Sequence, residues 1–333
     1  MLFRDNFNDT GEGTEKFQAL ATFQLILLMI GLFANVITLV TLALNGKKFP
    51  WITRTLMQHL AVADSLVCLL GIVICTQPVM WMTGNTYLDL LLCQVWHSEA
   101  IFWLAILLSI WILVFISVER FVMIEYPFKH RNITPKHIYT ALVIMYIVIS
   151  ILMFPVNVLQ TRYDDDTGKC LSEYYFDTKA YSDFMSGFGT FVFVTGYAIP
   201  MSLFITLYTK AILTIRKRLV KPPSVTFQPS SILNKANLQL TTTAIAVSIV
   251  FGICIGYGSC HYMLWRYGII TYEKGSLLSV FGAFLAAINS CANPFIYSAS
   301  LPIFRKSLRK TFTFQKLVSD GSKSETLRMR RTE

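Results

Sequence analysis

Charge is scarce in this sequence. Of its 333 residues 14% are charged and 54% are hydrophobic, whereas an ordinary soluble domain carries roughly 25% charged residues. A chain this apolar has too little polar surface to stay dispersed in water, so lipid must solvate much of it. Histidine is also scarce. The five present, His59, His97, His130, His137 and His261, are spread along the chain without metal-ligand spacing. No nucleophile, base and metal ligand converge in sequence, which argues against a membrane enzyme. Internal repeats and hydrophobic runs broken at mid-membrane, the usual marks of a transporter, are missing too. The net charge is +10, but the basic residues lie in short loops between apolar runs. That placement fits an anionic leaflet and not a nucleic-acid-binding face.

What the sequence does hold is length and greasiness. A bilayer core takes about 20 apolar residues per helix, and seven stretches qualify: Ala19 to Leu44, Thr55 to Met80, Leu90 to Met123, Ile138 to Leu159, Phe184 to Leu213, Thr241 to Leu264 and Leu277 to Ser298. The first is too long for a cleaved leader and has no basic region just before it. The pattern predicts an all-α membrane protein, a seven-helix bundle.

Lys and Arg in short loops set the orientation. Lys47, Lys48 and Arg54 follow the first span; Lys129, Arg131 and Lys136 the third; Arg216, Lys217, Arg218, Lys221 and Lys235 the fifth; Arg305, Lys306, Arg309 and Lys310 the last. The opposite side is acidic, with Asp5, Asp9, Glu12 and Glu15 before the first span and Asp164, Asp165, Asp166, Glu173, Asp177 and Asp183 after the fourth. The N-terminus is therefore expected outside the cell and the C-terminus in the cytoplasm, in a multi-pass protein of the plasma membrane. Asn8-Asp9-Thr10 is then an extracellular glycosylation acceptor. Asn132-Ile133-Thr134 has the same form but falls inside and is expected to stay bare. Lys221 to Ser231, rich in Pro and Ser, reads as a linker, and the polar chain beyond Phe314 as a disordered tail.

Polar groups inside a bilayer are costly unless paired or hydrated, so their positions carry information. Asn35 lies in the first span, Asp64 in the second, Ser109 in the third, and Asn289, Ser290 and Asn293 in the seventh. They read either as a satisfied packing network or as a hydrated ion pocket. Around them stand short motifs. The first span has Gly31-Leu-Phe-Ala-Asn35-Val36 and the second Leu60-Ala-Val-Ala-Asp64. The third ends Ser117-Val-Glu119-Arg120-Phe121, with Pro127 seven residues after Arg120. Pro200 and Tyr208 mark the fifth. Asn293-Pro294-Phe-Ile-Tyr297 closes the seventh, and Phe304-Arg-Lys-Ser-Leu308 follows.

In register across seven spans, these motifs resemble the rhodopsin-like (class A) G-protein-coupled receptors, with features of the peptide-receptor type. The resemblance implies an extracellular tail (1–18), a seven-span receptor domain (19–300), an amphipathic eighth helix (301–314) and a cytoplasmic tail (315–333). It implies no cofactor apart from an allosteric Na⁺ ion, held near Asp64 by Asn35, Ser109, Asn289, Ser290 and Asn293. Arg120 would meet a heterotrimeric G protein. Glu119 would restrain it at rest, and Phe121, Tyr208, Asn293, Pro294 and Tyr297 would complete the cytoplasmic switch. Ile110, Pro200 and Phe251 match the family's packing switch, and Cys93 and Cys170 its extracellular disulfide.

The chain also departs from the family. In the sixth span Ile255 stands where Trp is usual and Tyr257 where Pro is usual, leaving Gly252, Gly256 and Gly258 to supply flexibility or close packing. Tyr146 lies near the site of the fourth span's Trp, and Asn237 near that of an acid that in some members pairs with the arginine. Cys93 lies 27 residues before Arg120, longer than the family's usual spacing, which predicts a bulge at the outer end of the third span. For the ligand, Phe102 stands where amine receptors carry Asp, and Ala287 where opsins carry the retinal lysine. The acidic outer loop attracts cationic ligands, and Trp96, Glu99, Phe102, Trp103, His261, Trp265 and Arg266, with Trp81 and Tyr267, could line an entrance. The expected ligand is a peptide; the alternatives are a lipid or another small non-amine molecule, or, in a different class, a membrane transporter.

Overall fold

The computed structural model describes residues 12–76, 83–159, 161–164, 169–172, 179–220, 231–270 and 277–313. Asn8, Trp81, the 221–230 linker and the 315–333 tail lie outside them, as do the side chains of Asn237 and Arg266. Among the described residues are helices α1 (Glu12–Asn45), α2 (Trp51–Thr76), α3 (Thr86–Leu91), α4 (Ala100–Glu125), α5 (Pro127–Arg131) and α6 (Pro135–Leu159). A hairpin follows, β1 (Thr161–Asp164) with β2 (Lys169–Ser172). Helices α7 (Lys179–Phe193), α8 (Ile199–Val220), α9 (Ser231–Arg266) and α10 (Leu277–Ser300) complete the bundle. A last helix, α11, covers 302–313.

Seven helical segments are long and apolar enough to cross a membrane. Helix α1 begins at Glu12, before the expected Ala19, and α9 overruns both ends of the expected sixth span. In the bundle α1 packs on α2 and α10, α2 on α4, and α9 on α10. The outward faces stay apolar and exposed, as at Phe33, Val62, Ile151, Ile205 and Ile253. In water that would be a liability; in lipid it is the ordinary solvated surface.

The third and fifth spans are not the single helices the hydrophobic runs predict. A π-helix at Leu92–His97 and a turn at Ser98–Glu99 separate α3 from α4. Glu99 has φ 58°, a left-handed conformation that favours glycine. The bulge predicted from the Cys93–Arg120 spacing is thus this π turn, which absorbs the extra chain. A second π-helix, Val194–Ala198, joins α7 to α8 just before Pro200. Proline has no amide to give, and the wider turn leads into it.

The end of the bundle opposite α11 is pinned by the Cys93–Cys170 disulfide, with Cα atoms 5.5 Å apart. Cys170 lies on β2, opposite Tyr163 of β1. The sequence reading found the bond and missed the hairpin that carries it. At the other end Leu301 and Phe304 of the α11 segment are buried. Asn45 Nδ2 of α1 donates to Thr311 Oγ1 at 3.0 Å, fixing α11 across the base of α1. Ile303 and Phe312 remain exposed beside Arg305, Lys306, Arg309 and Lys310.

Candidate functional site

Asp64 is wholly buried in the middle of α2. Ser109 Oγ of α4 donates to its Oδ1 at 2.7 Å, and Asn293 Nδ2 of α10 donates to its Oδ2 at 2.7 Å. The Ser290 hydroxyl also hydrogen-bonds the carboxylate. Asn35 Nδ2 of α1 bridges the Gly31 and Ser290 carbonyls, each at 3.0 Å, so it ties α1 to α10. Asn289 is buried beside Ser290. Three helices, α2, α4 and α10, thus converge on one carboxylate, and both of its oxygens are hydrogen-bonded, which is what makes a buried carboxylate tolerable.

One turn from Asp64, Cys68 Sγ lies 3.8 Å from Cys291 Sγ, and Cys291 donates to the Leu27 carbonyl at 3.4 Å. Sequence spacing gave no sign of this pairing, because it joins α2 to α10. A Cβ at Gly31 would collide with the Cys291 sulfur and stand 3.1 Å from that of Cys68. Only glycine lets α1 close on the two thiols.

Toward the α11 end of the bundle, Arg120 of α4 is 1% exposed. Glu119 pairs with it, and its Nη2 donates to Thr53 Oγ1 of α2. His130, just beyond α4, meets the other Glu119 oxygen at 3.0 Å. Arg120 Nη1 has no partner among the described residues. It lies at an internal space of about 30 Å³ whose lining includes Ser117, Tyr208, Thr243, Ser248 and Tyr297, room for a water molecule or two. Tyr208 shares a 2.6 Å hydrogen bond with Ser117. Tyr297 is buried and packs edge-on against Phe304, with centroids 6.0 Å apart. Pro294 lies inside α10. Phe121 is half-buried and packs on Tyr126 instead of the arginine. Thr53 and His130 were not singled out from sequence, since neither carries a motif; only the fold brings them to Arg120 and Glu119.

Between these two centres, Ile110 and Phe251 share the main apolar cluster, and Pro200 is buried next to it. Phe251 packs edge-on against Phe204 at 5.4 Å. The unusual Tyr257 turns toward α10. Its ring meets Phe281 at 5.3 Å and sits 3.6 Å from where a Gly282 Cβ would be. Tyr146 hydrogen-bonds His59 of α2 at 2.7 Å, tying α6 to α2.

The residues expected to line the entrance scatter. Glu99 and Phe102 are buried, whereas Trp103 is 43% exposed. Trp96, His261 and Trp265 are half-buried. His261 stacks on Tyr257, and Trp265 packs at a tilt against Tyr262. What organises this end was missed in the sequence: Asp89, fully buried. It accepts from Thr83 N at 2.7 Å, Thr83 Oγ1 at 2.9 Å and Gly84 N at 3.1 Å, and from the Tyr163 hydroxyl at 3.4 Å. The signal was present as a turn sequence, Thr83-Gly84-Asn85, with Asn85 capping α3.

The profile of the 7 transmembrane receptor (rhodopsin family) matches residues 34–297, from the turn that holds Asn35 to Tyr297 itself. The chain belongs to the rhodopsin family of seven-transmembrane receptors. Similar proteins include galanin receptor 2a of Danio rerio, 23% identical over 86% of this chain and 76% of the relative. The rhodopsin of Chelon labrosus is 25% identical over 89% and 80%. Neuropeptide Y receptor type 6 of Mus musculus is 24% identical over 85% and 77%. This protein is therefore a multi-pass membrane receptor and not an enzyme. In the receptor, the polar centre at Asp64 and the charged centre at Arg120 occupy two levels of one bundle, joined by the apolar layer of Ile110, Phe204 and Phe251.

Proposed function

We propose that this receptor binds an extracellular peptide and activates a heterotrimeric G protein by opening the cytoplasmic end of its bundle. The observation that carries the proposal is the setting of Arg120. Its guanidinium is held out of water by Glu119 and Thr53, beside a small space lined from α2, α4, α8, α9 and α10. Burying a charge is costly even when it is paired, so keeping one here points to a second state that uses it. Arginine offers several donors in a rigid fork, suited to the backbone carbonyls of a partner helix. Displacing α9 would widen the space and present that fork, while Tyr208 and Tyr297 are placed to move in behind it. A ligand that favours the open arrangement shifts the balance by its differential affinity alone.

The Asp64 centre fits a small hard cation. Asp64 supplies the charge, and the Ser109 and Ser290 hydroxyls supply oxygen donors of the kind hard cations take. Sodium bound there would hold α2, α4 and α10 together and so favour the closed bundle. Asn35 and Asn289 would then support the walls instead of contacting the ion.

A peptide is favoured because two of the similar proteins are named as a galanin receptor and a neuropeptide Y receptor. The outer loop is also acidic. The likeness to rhodopsins does not bring their chromophore with it, since α10 has no lysine and Ala287 stands at the position where opsins carry one. The N-terminus is assigned to the outside and the C-terminus to the cytoplasm, from the loop charges. The deciding experiment is guanine-nucleotide exchange in membranes, over a panel of heterotrimers and a library of neuropeptides. Native receptor should support exchange with at least one combination, and Arg120→Ala should not. A native receptor that drives no heterotrimer under any stimulus would remove the proposal.

A further inference from the structure

Helix α9 has a full hydrogen-bond ladder where its relatives in the family carry a proline: it runs unbroken from Ser231 to Arg266 with Tyr257 at that position. A helix bends sharply at proline or where something inserts into its ladder, so any hinge here needs another origin. Gly252 and Gly256 lie four residues apart and share a face. Tyr197 lies against that face. A Cβ on Gly256 would stand 2.7 Å from the Tyr197 hydroxyl and 3.0 Å from the ring carbons Cε2 and Cζ. A Cβ on Gly252 would stand 3.1 Å from Met201 Sδ. The phenol therefore rests on bare backbone, and its hydroxyl donates to the Gly252 carbonyl at 3.4 Å. In an α-helix that carbonyl is the acceptor for the amide of residue 256, so the hydroxyl draws on the acceptor of this one turn.

The placement of Tyr197 follows from its own element. It lies in the Val194–Ala198 π turn before Pro200, where the wider backbone rotates a side chain off the regular α-helical stripe. Below it the rings continue inward: Tyr197 to Phe251 at 6.1 Å, Phe251 to Phe204 at 5.4 Å, and Phe204 to Tyr208 at 6.4 Å. Tyr208 then reaches Ser117 at the space beside Arg120. Above it Tyr197 meets Phe193 at 5.7 Å.

We propose that Tyr197 is a positioning residue that holds α9 closed, its hydroxyl on the Gly252–Gly256 turn being the contact that breaks when the inner end of α9 swings out. The inference rests on the reading that α9 moves during signalling. The Tyr197–Gly256 contact then does for this chain what the absent tryptophan and proline of α9 do elsewhere in the family. A ligand in the outer half need only shift the π turn of the fifth span to release it.

The test uses the full chain in lipid nanodiscs with no ligand added. An environment-sensitive fluorescent amino acid replaces Thr242, an exposed residue near the inner end of α9, which leaves every native cysteine untouched. Tyr197→Phe keeps the ring and removes the hydroxyl; the open-to-closed ratio should rise about fivefold, the effect of one hydrogen bond, seen as a red shift in emission. Gly256→Ala displaces the ring and should give a similar shift. The double variant should go no further than Gly256→Ala alone, because a displaced ring has no hydroxyl contact left to lose. Glu119→Gln, which weakens the hold on Arg120, serves as the control. If Glu119→Gln moves the label while Tyr197→Phe and Gly256→Ala leave it at the native position, or if their shifts add, the role of Tyr197 is overturned. A label that none of the three variants moves overturns the swing of α9 as well. Where Gly256→Ala fails to reach the membrane, Tyr197→Phe alone decides.

Discussion

Two side chains, Asp64 and Arg120, concentrate the chemistry of this receptor, and each is interpretable because burial makes its charge expensive. Arg120 is anchored on one side by Glu119 and on the other by Thr53 of α2. Thr53→Ala should leave the fold intact and leave Glu119 as the remaining partner of Nη2. Ligand-independent nucleotide exchange is then expected to rise about tenfold or more, since a hydrogen bond to a charged group contributes about 1.5–3 kcal/mol. For Asp64, Asp64→Asn keeps the shape and removes the charge. Exchange by the native receptor should be lower in sodium than in an equal concentration of a large organic cation, and the Asn variant should show no difference between the two. A variant that retains the sodium effect would place the ion elsewhere. Both residues were legible in the sequence, because an ionisable residue inside an apolar run stands out wherever the helices pack. Thr53, His130 and Tyr197 did not stand out. Their chemistry is ordinary, and only a neighbour from another helix gives it meaning.

At the scale of elements, the helices obey their hydrophobic runs and the irregular turns obey tertiary demands. Gly31 shows how tightly α1 is set against α2 and α10. Gly31→Ala forces its methyl into the Cys291 sulfur. It should lower the thermal stability of the purified receptor by an overpacking cost of about 1–3 kcal/mol. Cys291→Ala in the same chain should restore only part of that, because the Cys291 Cβ already stands 2.9 Å from the new methyl. Full recovery would mean that the helices can shift apart freely. Outside the bundle, Asp89 joins the Thr83–Gly84 turn to Tyr163 of the hairpin. Asp89→Ala should weaken ligand binding while leaving ligand-independent exchange at the native level, since no contact of Asp89 reaches the inner half. The two π turns lie inside stretches long and apolar enough to cross a membrane, so length and hydropathy did not reveal them. The first was foreshadowed only by the long interval between Cys93 and Arg120, and the second only by Pro200.

Across the whole molecule the disulfide and α11 close opposite ends of one bundle. Cys170→Ser should release the hairpin and abolish high-affinity binding of an identified ligand, with the Asp64 and Arg120 centres unaffected in exchange assays. The assigned orientation predicts that an epitope at the N-terminus is stained on intact cells and one at the C-terminus only after permeabilisation; the reverse pattern would reverse the topology. The order of amino acids is enough to show that the chain lives in lipid and crosses it seven times, because the cost of dehydrating backbone and charge is met by each segment alone. Its place among the rhodopsin-like receptors was legible in short motifs that resemble that family's. Only the tertiary structure decided which hydroxyls and amides satisfy Asp64, what else restrains Arg120, that Cys68 and Cys291 meet, and that Tyr197 lies on the glycines of α9. Those are contacts between segments far apart in the chain, fixed by how the helices rotate and press together, and helix packing is a property that no single segment carries.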